Sequence, residues 1–200
     1  MRLGLDFDNT LISYDQLFYR VALDKGLISP EVPKQKNAVR DFMRERGIEE
    51  EWTRIQGEVY GSRILEEEPY PDMLVTLNKL ANKHIPMCIV SHKTKVPYLG
   101  EPWDLHAAAR GWLQKNSFHD ANGLAWPQNQ IFFELTKQEK IKRIIELDCT
   151  HYVDDLPEIL DMLPAHIEKI LFAPSLDLQA RPDWKQMSTW QELPFLLGLQ

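Results

Sequence analysis

The sequence predicts an α/β fold: a three-layer core with a mainly parallel sheet, and a small helical cap inserted early in the chain. Short apolar runs that end in polar residues recur along the chain, a pattern typical of buried parallel strands. Helical spacing separates the runs, so helical crossovers would join the strands. Residues 14–68 show helical spacing throughout and no strand signal. We therefore assign 14–68 to the cap and 1–13 with 69–200 to the core.

Composition limits the classes of function. The chain has 200 residues, of which 44% are hydrophobic, enough for one sizeable core or a core with a small cap. A net charge of -7 argues against a general affinity for nucleic acid. It leaves a small phosphorylated substrate open, because a local metal ion and a lysine outweigh net charge at contact distance.

The expected location is the cytoplasm. No apolar run approaches the ~20 residues of a membrane span, and the first strand begins almost at Met1, which leaves no room for a signal peptide. Cys88 and Cys149 lack metal-ligand spacing, so we expect two free thiols in a reducing compartment. The sequence thus predicts a soluble protein without a membrane partner, and its oligomeric state stays open.

The first ten residues form a short apolar run, with Leu3, Leu5 and Phe7, that ends in two aspartates, Asp6 and Asp8. Ligands of open α/β sheets bind beyond the carboxyl ends of the strands, so both aspartates are candidate site residues. Two neighbouring carboxylates repel each other, and Mg²⁺, which binds carboxylates together with substrate phosphates, would compensate. Asp6 could then attack phosphorus as a nucleophile, and Asp8 could act as general acid and base. The alternative is a solvated turn, since Asp, Asn and Thr are common turn residues.

The segment from Asp6 to Thr10, with the sequence Asp-Phe-Asp-Asn-Thr, resembles motif one (DxDx[T/V]) of the haloacid dehalogenase superfamily of phosphatases and phosphotransferases. This resemblance implies a Rossmann-like core and three further motifs in a fixed order. It also places Thr10 among the residues expected to contact the substrate.

A second apolar strand, at residues 87–90, ends in Ser91, His92 and Lys93. A serine at the end of the second strand resembles motif two of the family, in which a hydroxyl binds the transferring phosphoryl group. His92 and Lys93 could contact the leaving group or the phosphate, or they could be exposed loop residues. We retain both as candidate substrate-binding residues.

A third strand, at residues 131–133, precedes a capping box that begins at Thr136. Lys137 lies in the first turn of the following helix, where a cation is electrostatically unfavourable unless an anion lies nearby. Motif three of the family is a lysine near this helix start, so the resemblance assigns it to Lys137. Lys140 is the rival, and a solvated lysine is the structural alternative.

The fourth strand, at residues 151–153, ends in Asp154 and Asp155, which resembles motif four, the acid that completes the metal site. Aligned on the strand end, Asp155 takes the ligand position, with Asp154 beside it. A further acid four residues on, found in some forms, would have to stand at Ile159, and Glu158 comes one residue early. Asp155 could also cap a helix beginning at Leu156. Another apolar strand follows at residues 167–172.

Taken together, the resemblance implies a Mg²⁺-dependent phosphatase that acts on a small phosphorylated metabolite through an aspartyl phosphate. The metal residues implied are Asp6, Asp8 through its backbone carbonyl, Asp154 and Asp155. Asp8 argues against a dehalogenase, which does not use a second acid there to protonate the leaving group. A phosphotransferase or phosphomutase, and a non-enzymatic binding protein that retains the fold, remain as alternatives.

Overall fold

The computed structural model describes residues 1–175 and 181–199, and its described strands form one parallel sheet. Their order is β3-β2-β1-β4-β5-β6, so the first strand lies in the centre. The predicted mainly parallel sheet is confirmed. The strands are β1 Leu3–Leu5, β2 Met87–His92, β3 Ile131–Glu134, β4 His151–Asp154, β5 Glu168–Phe172 and β6 Lys185–Met187.

The described helices agree with a three-layer α/β fold, in which helices connect successive parallel strands. Short 3₁₀ turns occupy residues 64–66, 128–130 and 190–192. The α-helices are α1 Asp15–Asp24, α2 Lys36–Glu45, α3 Glu49–Tyr60, α4 Met73–Asn82, α5 Leu105–Lys115, α6 Lys137–Glu146, α7 Pro157–Met162 and α8 Leu193–Leu196.

The chain divides into two compact units. The first comprises Met1–Ile12, Pro69–Lys93 and Ser117–Gln200 and carries the sheet, and the second comprises Ser13–Glu68 and Thr94–Asn116. The sequence-based division placed all of 69–200 in the core, whereas 94–116 groups with the helical insertion.

Helix α5 is tied into the second unit by side-chain hydrogen bonds. The indole N–H of Trp112 donates to the carbonyl of Glu67 at 2.8 Å, and the Lys115 ammonium donates to the carbonyl of Leu65 at 2.9 Å. Both carbonyls belong to the segment Ser13–Glu68, and helix α5 belongs to Thr94–Asn116. The two segments of this unit are therefore joined by direct contacts.

Strand β1 is buried, and its neighbours are in register. Leu5 pairs with Ile89 of β2 and with Val153 of β4, so the carboxyl ends of three strands meet at one edge. The backbone N–H of Asp6 donates to the carbonyl of Val153 at 3.0 Å and extends the β1–β4 pairing by one residue. This edge is where the sequence predicted the site.

Gly4, in the middle of β1, allows close packing across the strand. A Cβ atom at this position would lie 2.6 Å from the ring of Tyr152 and 3.1 Å from Sγ of Cys149. Tyr152 is fully buried, and its hydroxyl donates to the carbonyl of Val90. The missing side chain of Gly4 therefore lets the aromatic ring lie against the central strand.

The described part of the chain bears on two properties expected from the sequence. Cys88 and Cys149 are free, buried thiols, as expected, with their sulfur atoms 3.5 Å apart. Among the described residues, none of the helices combines the length and the apolar character that crossing a bilayer requires.

Candidate active site

Three carboxylates meet at the carboxyl edge of the sheet. Asp6 follows β1, Asp154 is the last residue of β4, and Asp155 comes next. One carboxylate oxygen from each lies within 4.8 Å of the other two. Asp6 and Asp154 are only 4% and 0% exposed, and Asp155 is half-buried. The motif order predicted that these acids would converge, and the structure brings them together.

Lys140 lies between two of these carboxylates. Its ammonium nitrogen is 2.6 Å from Oδ1 of Asp6 and 2.6 Å from Oδ2 of Asp154, and the residue is only 2% exposed. These charge-assisted contacts hold the two carboxylates on a common cation. Lys140 therefore occupies the place beside Asp6 that the sequence analysis assigned to Lys137.

The predicted position of Lys137 is wrong. Its ammonium lies 2.7 Å from Oε1 of Glu158, and 36% of its side chain is exposed. Helix α6 begins at Lys137 and turns Lys140, Ile141 and Ile144 inward, while its first residue faces outward. The missed signal was the spacing: Lys140 lies four residues before Ile144, on the apolar face of the helix.

The charges around Lys140 shift two pKa values. Burial alone would lower the pKa of Lys140, but the carboxylates of Asp154 and Asp6 outweigh burial and raise it above its usual value. Burial raises the pKa of Asp154 to about 7, and Lys140 acts in the opposite direction. Lys140 thus stays an ammonium at neutral pH, and a further cation beside Asp154 would favour its ionised form.

Both oxygens of Asp154 have partners. Oδ2 contacts Lys140, and Oδ1 accepts the backbone N–H of Leu156 at 2.9 Å, just before α7 begins. From the sequence, Asp155 was a candidate to cap this helix start. The structure shows Asp154 accepting that N–H, and Asp155 contributes an oxygen to the group of three carboxylates.

Asp8 is bound by the lysine that follows β2. The ammonium of Lys93 lies 2.9 Å from Oδ1 and 2.8 Å from Oδ2 of Asp8. Lys93 is only 4% exposed, so the reading of this residue as part of an exposed loop is wrong. Its neighbour His92 is half-buried, with Nε2 lying 3.1 Å from the carbonyl of Leu135.

Ser91 and Thr10 are both buried near this edge of the sheet. Ser91 lies in β2, paired with Phe133, and is 1% exposed. The hydroxyl of Thr10 is buried and has no hydrogen-bond partner among the described residues, while its carbonyl accepts the indole N–H of Trp190 at 3.2 Å. Their contacts with a substrate stay predictions, as do those of His92.

The charges of the site suit a divalent cation. When all four acids are ionised, two ammonium groups face four carboxylates, which leaves two negative charges. The lysines are Lys93 and Lys140, and the acids are Asp6, Asp8, Asp154 and Asp155. Carboxylate oxygens are the ligands that Mg²⁺ prefers. The residues therefore fit Mg²⁺, and the grouped oxygens come from Asp6, Asp154 and Asp155.

No family model and no curated protein matches the sequence. Solved structures do match nearly the whole chain, among them a HAD phosphatase from Thermococcus onnurineus (16% identity, TM-score 0.56, covering 98% of this chain and 97% of that one). The chain has the haloacid dehalogenase fold. Two further similar structures are a predicted phosphoglycolate phosphatase from Haemophilus somnus and a dehalogenase. The first has 13% identity and a TM-score of 0.58, covering 98% of this chain and 97% of that one. The second has 14% identity and a TM-score of 0.57, covering 100% of this chain and 97% of that one.

The structures similar to this chain thus include both phosphatases and a dehalogenase. At these identities the similarity establishes the fold alone, since one fold can carry different reactions. The site of this chain contains a further carboxylate, Asp8, which is bound by the buried lysine Lys93.

Proposed function

We propose that this protein is a Mg²⁺-dependent hydrolase of small phosphomonoesters that works through an aspartyl phosphate on Asp6. The observation that carries the proposal is the Asp6 carboxylate, which contacts the buried ammonium of Lys140 and lies two residues from a second acid, Asp8. A nucleophile and an acid–base residue are the two protein groups that this chemistry needs.

In the first half of the reaction, the free oxygen of Asp6 attacks phosphorus. A bond forms between Asp6 and phosphorus while the bond from phosphorus to the leaving oxygen breaks, and Asp8 gives its proton to that oxygen. Charge on the transferring group is met by the ammonium of Lys140, which is fixed before the reaction starts. The hydroxyl of Ser91 is expected to hold a phosphoryl oxygen.

In the second half, water attacks the same phosphorus atom. Asp8, now a carboxylate, takes a proton from the water, and the bond between Asp6 and phosphorus breaks. Asp6 returns to its carboxylate form, Asp8 is protonated again, and inorganic phosphate leaves with the added hydroxyl. One water is consumed, and no redox partner is needed.

We propose that Asp6, Asp155 and the backbone carbonyl of Asp8 would hold Mg²⁺, with Asp154 beside them. When bound, the cation would reduce the repulsion between these carboxylates and an incoming phosphate. The ammonium of Lys140, in contact with both Asp6 and Asp154, would hold these carboxylates in place for this role.

The pair of Asp8 and Lys93 favours a phosphatase over a dehalogenase. A halide leaves as an anion and needs no proton, whereas an alkoxide leaving from phosphorus needs one. A phosphotransferase or phosphomutase would use the same aspartyl phosphate and differ only in the group that accepts the phosphate.

The test is a panel of phosphomonoesters assayed for free phosphate with Mg²⁺ and after exhaustive chelation. We expect phosphate release from at least one small ester, only when Mg²⁺ is present, and none by Asp6→Asn. Full activity after chelation would exclude the metal. Labelled phosphate that appears in a second organic product, instead of in solution, would indicate a phosphotransferase.

A further inference from the structure

A second buried lysine, Lys93, serves a different carboxylate from the one that Lys140 serves. Lys140 contacts Asp6 and Asp154, and Lys93 contacts both oxygens of Asp8, at 2.9 and 2.8 Å. Lys93 stands four residues beyond Ile89, the residue of β2 that pairs with Leu5 of β1. The two lysines therefore divide the site into a nucleophile half and an acid–base half.

The backbone and the side chain of Lys93 are both held in place. Its backbone N–H donates to the carbonyl of Glu134 at 2.8 Å, which continues the pairing of β2 with β3 beyond the last strand residue. Its ammonium lies 5.5 Å from the centroid of the Phe7 ring, and that ring packs edge to face against Phe133. An ammonium fixed in this way can fix the carboxylate that it binds.

The contact between Lys93 and Asp8 suits a carboxyl group that donates a proton in a fixed direction. A carboxyl group that acts as an acid uses one oxygen to donate its proton. The other oxygen remains an acceptor and can keep its contact with Lys93, so rotation of the Asp8 carboxyl group is restrained through the proton transfer. About a fifth of the Asp8 side chain is exposed, against 3% for Lys93, so the acid is the more accessible member of the pair.

We propose that Lys93 is a positioning residue for Asp8, which holds one carboxyl oxygen and thereby presents the other to the oxygen of the leaving group. The proposal rests on the phosphatase function proposed above. It assigns Lys93 to proton delivery, whereas a lysine that binds the phosphoryl group would act equally on every substrate. The two roles differ in how activity depends on the leaving group.

The experiment measures kcat/KM for a series of aryl phosphates whose leaving groups differ in acidity, with the Mg²⁺-loaded protein. Asp8→Asn should make the plot of log kcat/KM against leaving-group pKa steeper, because poor leaving groups need the proton most. Lys93→Met should steepen it in the same sense. We expect a loss of about 10-fold to 100-fold for the least acidic leaving group, the range that misplacing a reacting group can cost, and of less than about 3-fold for the most acidic.

Two further variants make the result specific. Lys93→Met should add no further steepening in an Asp8→Asn background, because residues that act as one unit are not additive. Lys93→Arg keeps the positive charge and can still donate to both oxygens of Asp8. Its slope should therefore lie between that of Lys93→Met and that of the parent. The matched control is Lys142→Met, which removes a lysine whose side chain is 75% exposed and should leave the plot unchanged.

The outcomes separate this proposal from the function on which it rests. A plot for Lys93→Met with the same slope as the parent's would overturn the positioning role, whether kcat/KM falls equally for all substrates or does not fall at all. A parent protein that releases no phosphate from any ester would overturn the proposed function, and the role of Lys93 with it. If Lys93→Met does not fold, as judged by circular dichroism, Lys93→Gln replaces it with the same slopes expected.

Discussion

The ammonium of Lys140 lies 2.6 Å from Oδ1 of Asp6, although the two residues are 134 positions apart in the sequence. Asp6 follows the central strand, and Lys140 lies one turn into helix α6, which follows β3. The parallel sheet is what allows this contact, since it brings the start of the helix after β3 to the same edge as the end of β1. The same ammonium reaches Asp154, so one buried cation fixes two of the carboxylates on which the proposed chemistry depends.

The two lysines of helix α6 should differ sharply in their importance for activity. Lys140→Met removes a fixed donor beside the nucleophile and should lower turnover by ~10²-fold or more at saturating substrate. Lys137→Met breaks only an exposed ion pair with Glu158 and should stay within a few-fold of the parent. If Lys137→Met were inactive while Lys140→Met stayed active, Lys137 and not Lys140 would be the lysine that acts beside the nucleophile.

Lys140→Met should also destabilise the protein when no divalent cation is present. The substitution leaves Asp6 and Asp154 buried without their shared cation, and removing one partner of a buried ion pair costs about 3–5 kcal/mol. Lys137→Met is the control, with an expected change of about 1 kcal/mol or less. Urea unfolding in the presence of a chelator measures both. Equal midpoints for the two variants would show that the buried contact does not stabilise the fold.

Mg²⁺ should stabilise the parent protein through the group of three carboxylates. A ligand present at a hundred times its dissociation constant stabilises the folded state by about 2.7 kcal/mol, so the melting temperature should rise with Mg²⁺ concentration. Asp155→Asn should lose most of this rise, because Asp155 contributes one of the grouped oxygens.

Glu158→Gln provides the comparison for the metal experiment. Glu158 is an acid of the same region, but its partner is Lys137, and more than half of its side chain is exposed. Its variant should therefore keep the full response to Mg²⁺. A parent whose melting temperature does not respond to Mg²⁺, or an Asp155→Asn variant that responds like the parent, would argue against the metal site.

Gly4→Ala should destabilise the central strand. The added Cβ would lie 2.6 Å from the ring of Tyr152, so the ring or the strand must move, and overpacking of this kind costs about 1–3 kcal/mol. Gly111→Ala in helix α5 is the opposite case, because the nearest atom to the added Cβ would be a side-chain carbon of Leu65, 3.9 Å away. There the free energy of unfolding should rise by about 0.5–1 kcal/mol. Thermal unfolding of both variants tests the packing, and a Gly4→Ala variant as stable as the parent would contradict it.

Much of the fold could be predicted because local signals agreed with the final structure. Thr136 accepts the backbone N–H of Glu139 at the start of α6, as its capping box predicted. The apolar runs of the strands β1 to β5 were equally clear. Strand β6 was missed, because Lys185–Met187 has one buried residue and no alternation and forms a strand by pairing with β5.

The partners of the lysines could not be read from the sequence in the same way. Lys140 lies in a run with Lys142 and Arg143, which reads as a solvated basic stretch until the helix is rotated against the sheet. Lys93 follows a strand end, where exposed and buried lysines look alike. In both cases a carboxylate that pairs with the lysine is distant in sequence, and only the folded chain shows which one.

The central claim is that Asp6 carries the phosphoryl group, and rapid acid quenching tests it most directly. An aryl phosphate with a labelled phosphoryl group and an acidic leaving group is mixed with the Mg²⁺-loaded parent, Asp8→Asn and Asp6→Asn, and acid-stable label on the protein is counted and mapped. We expect label on the peptide that contains Asp6 in the parent and, at a higher level, in Asp8→Asn, where the acid–base residue that activates water is gone. Asp6→Asn should carry none, and label retained by Asp6→Asn, or mapped to another residue, would contradict the account.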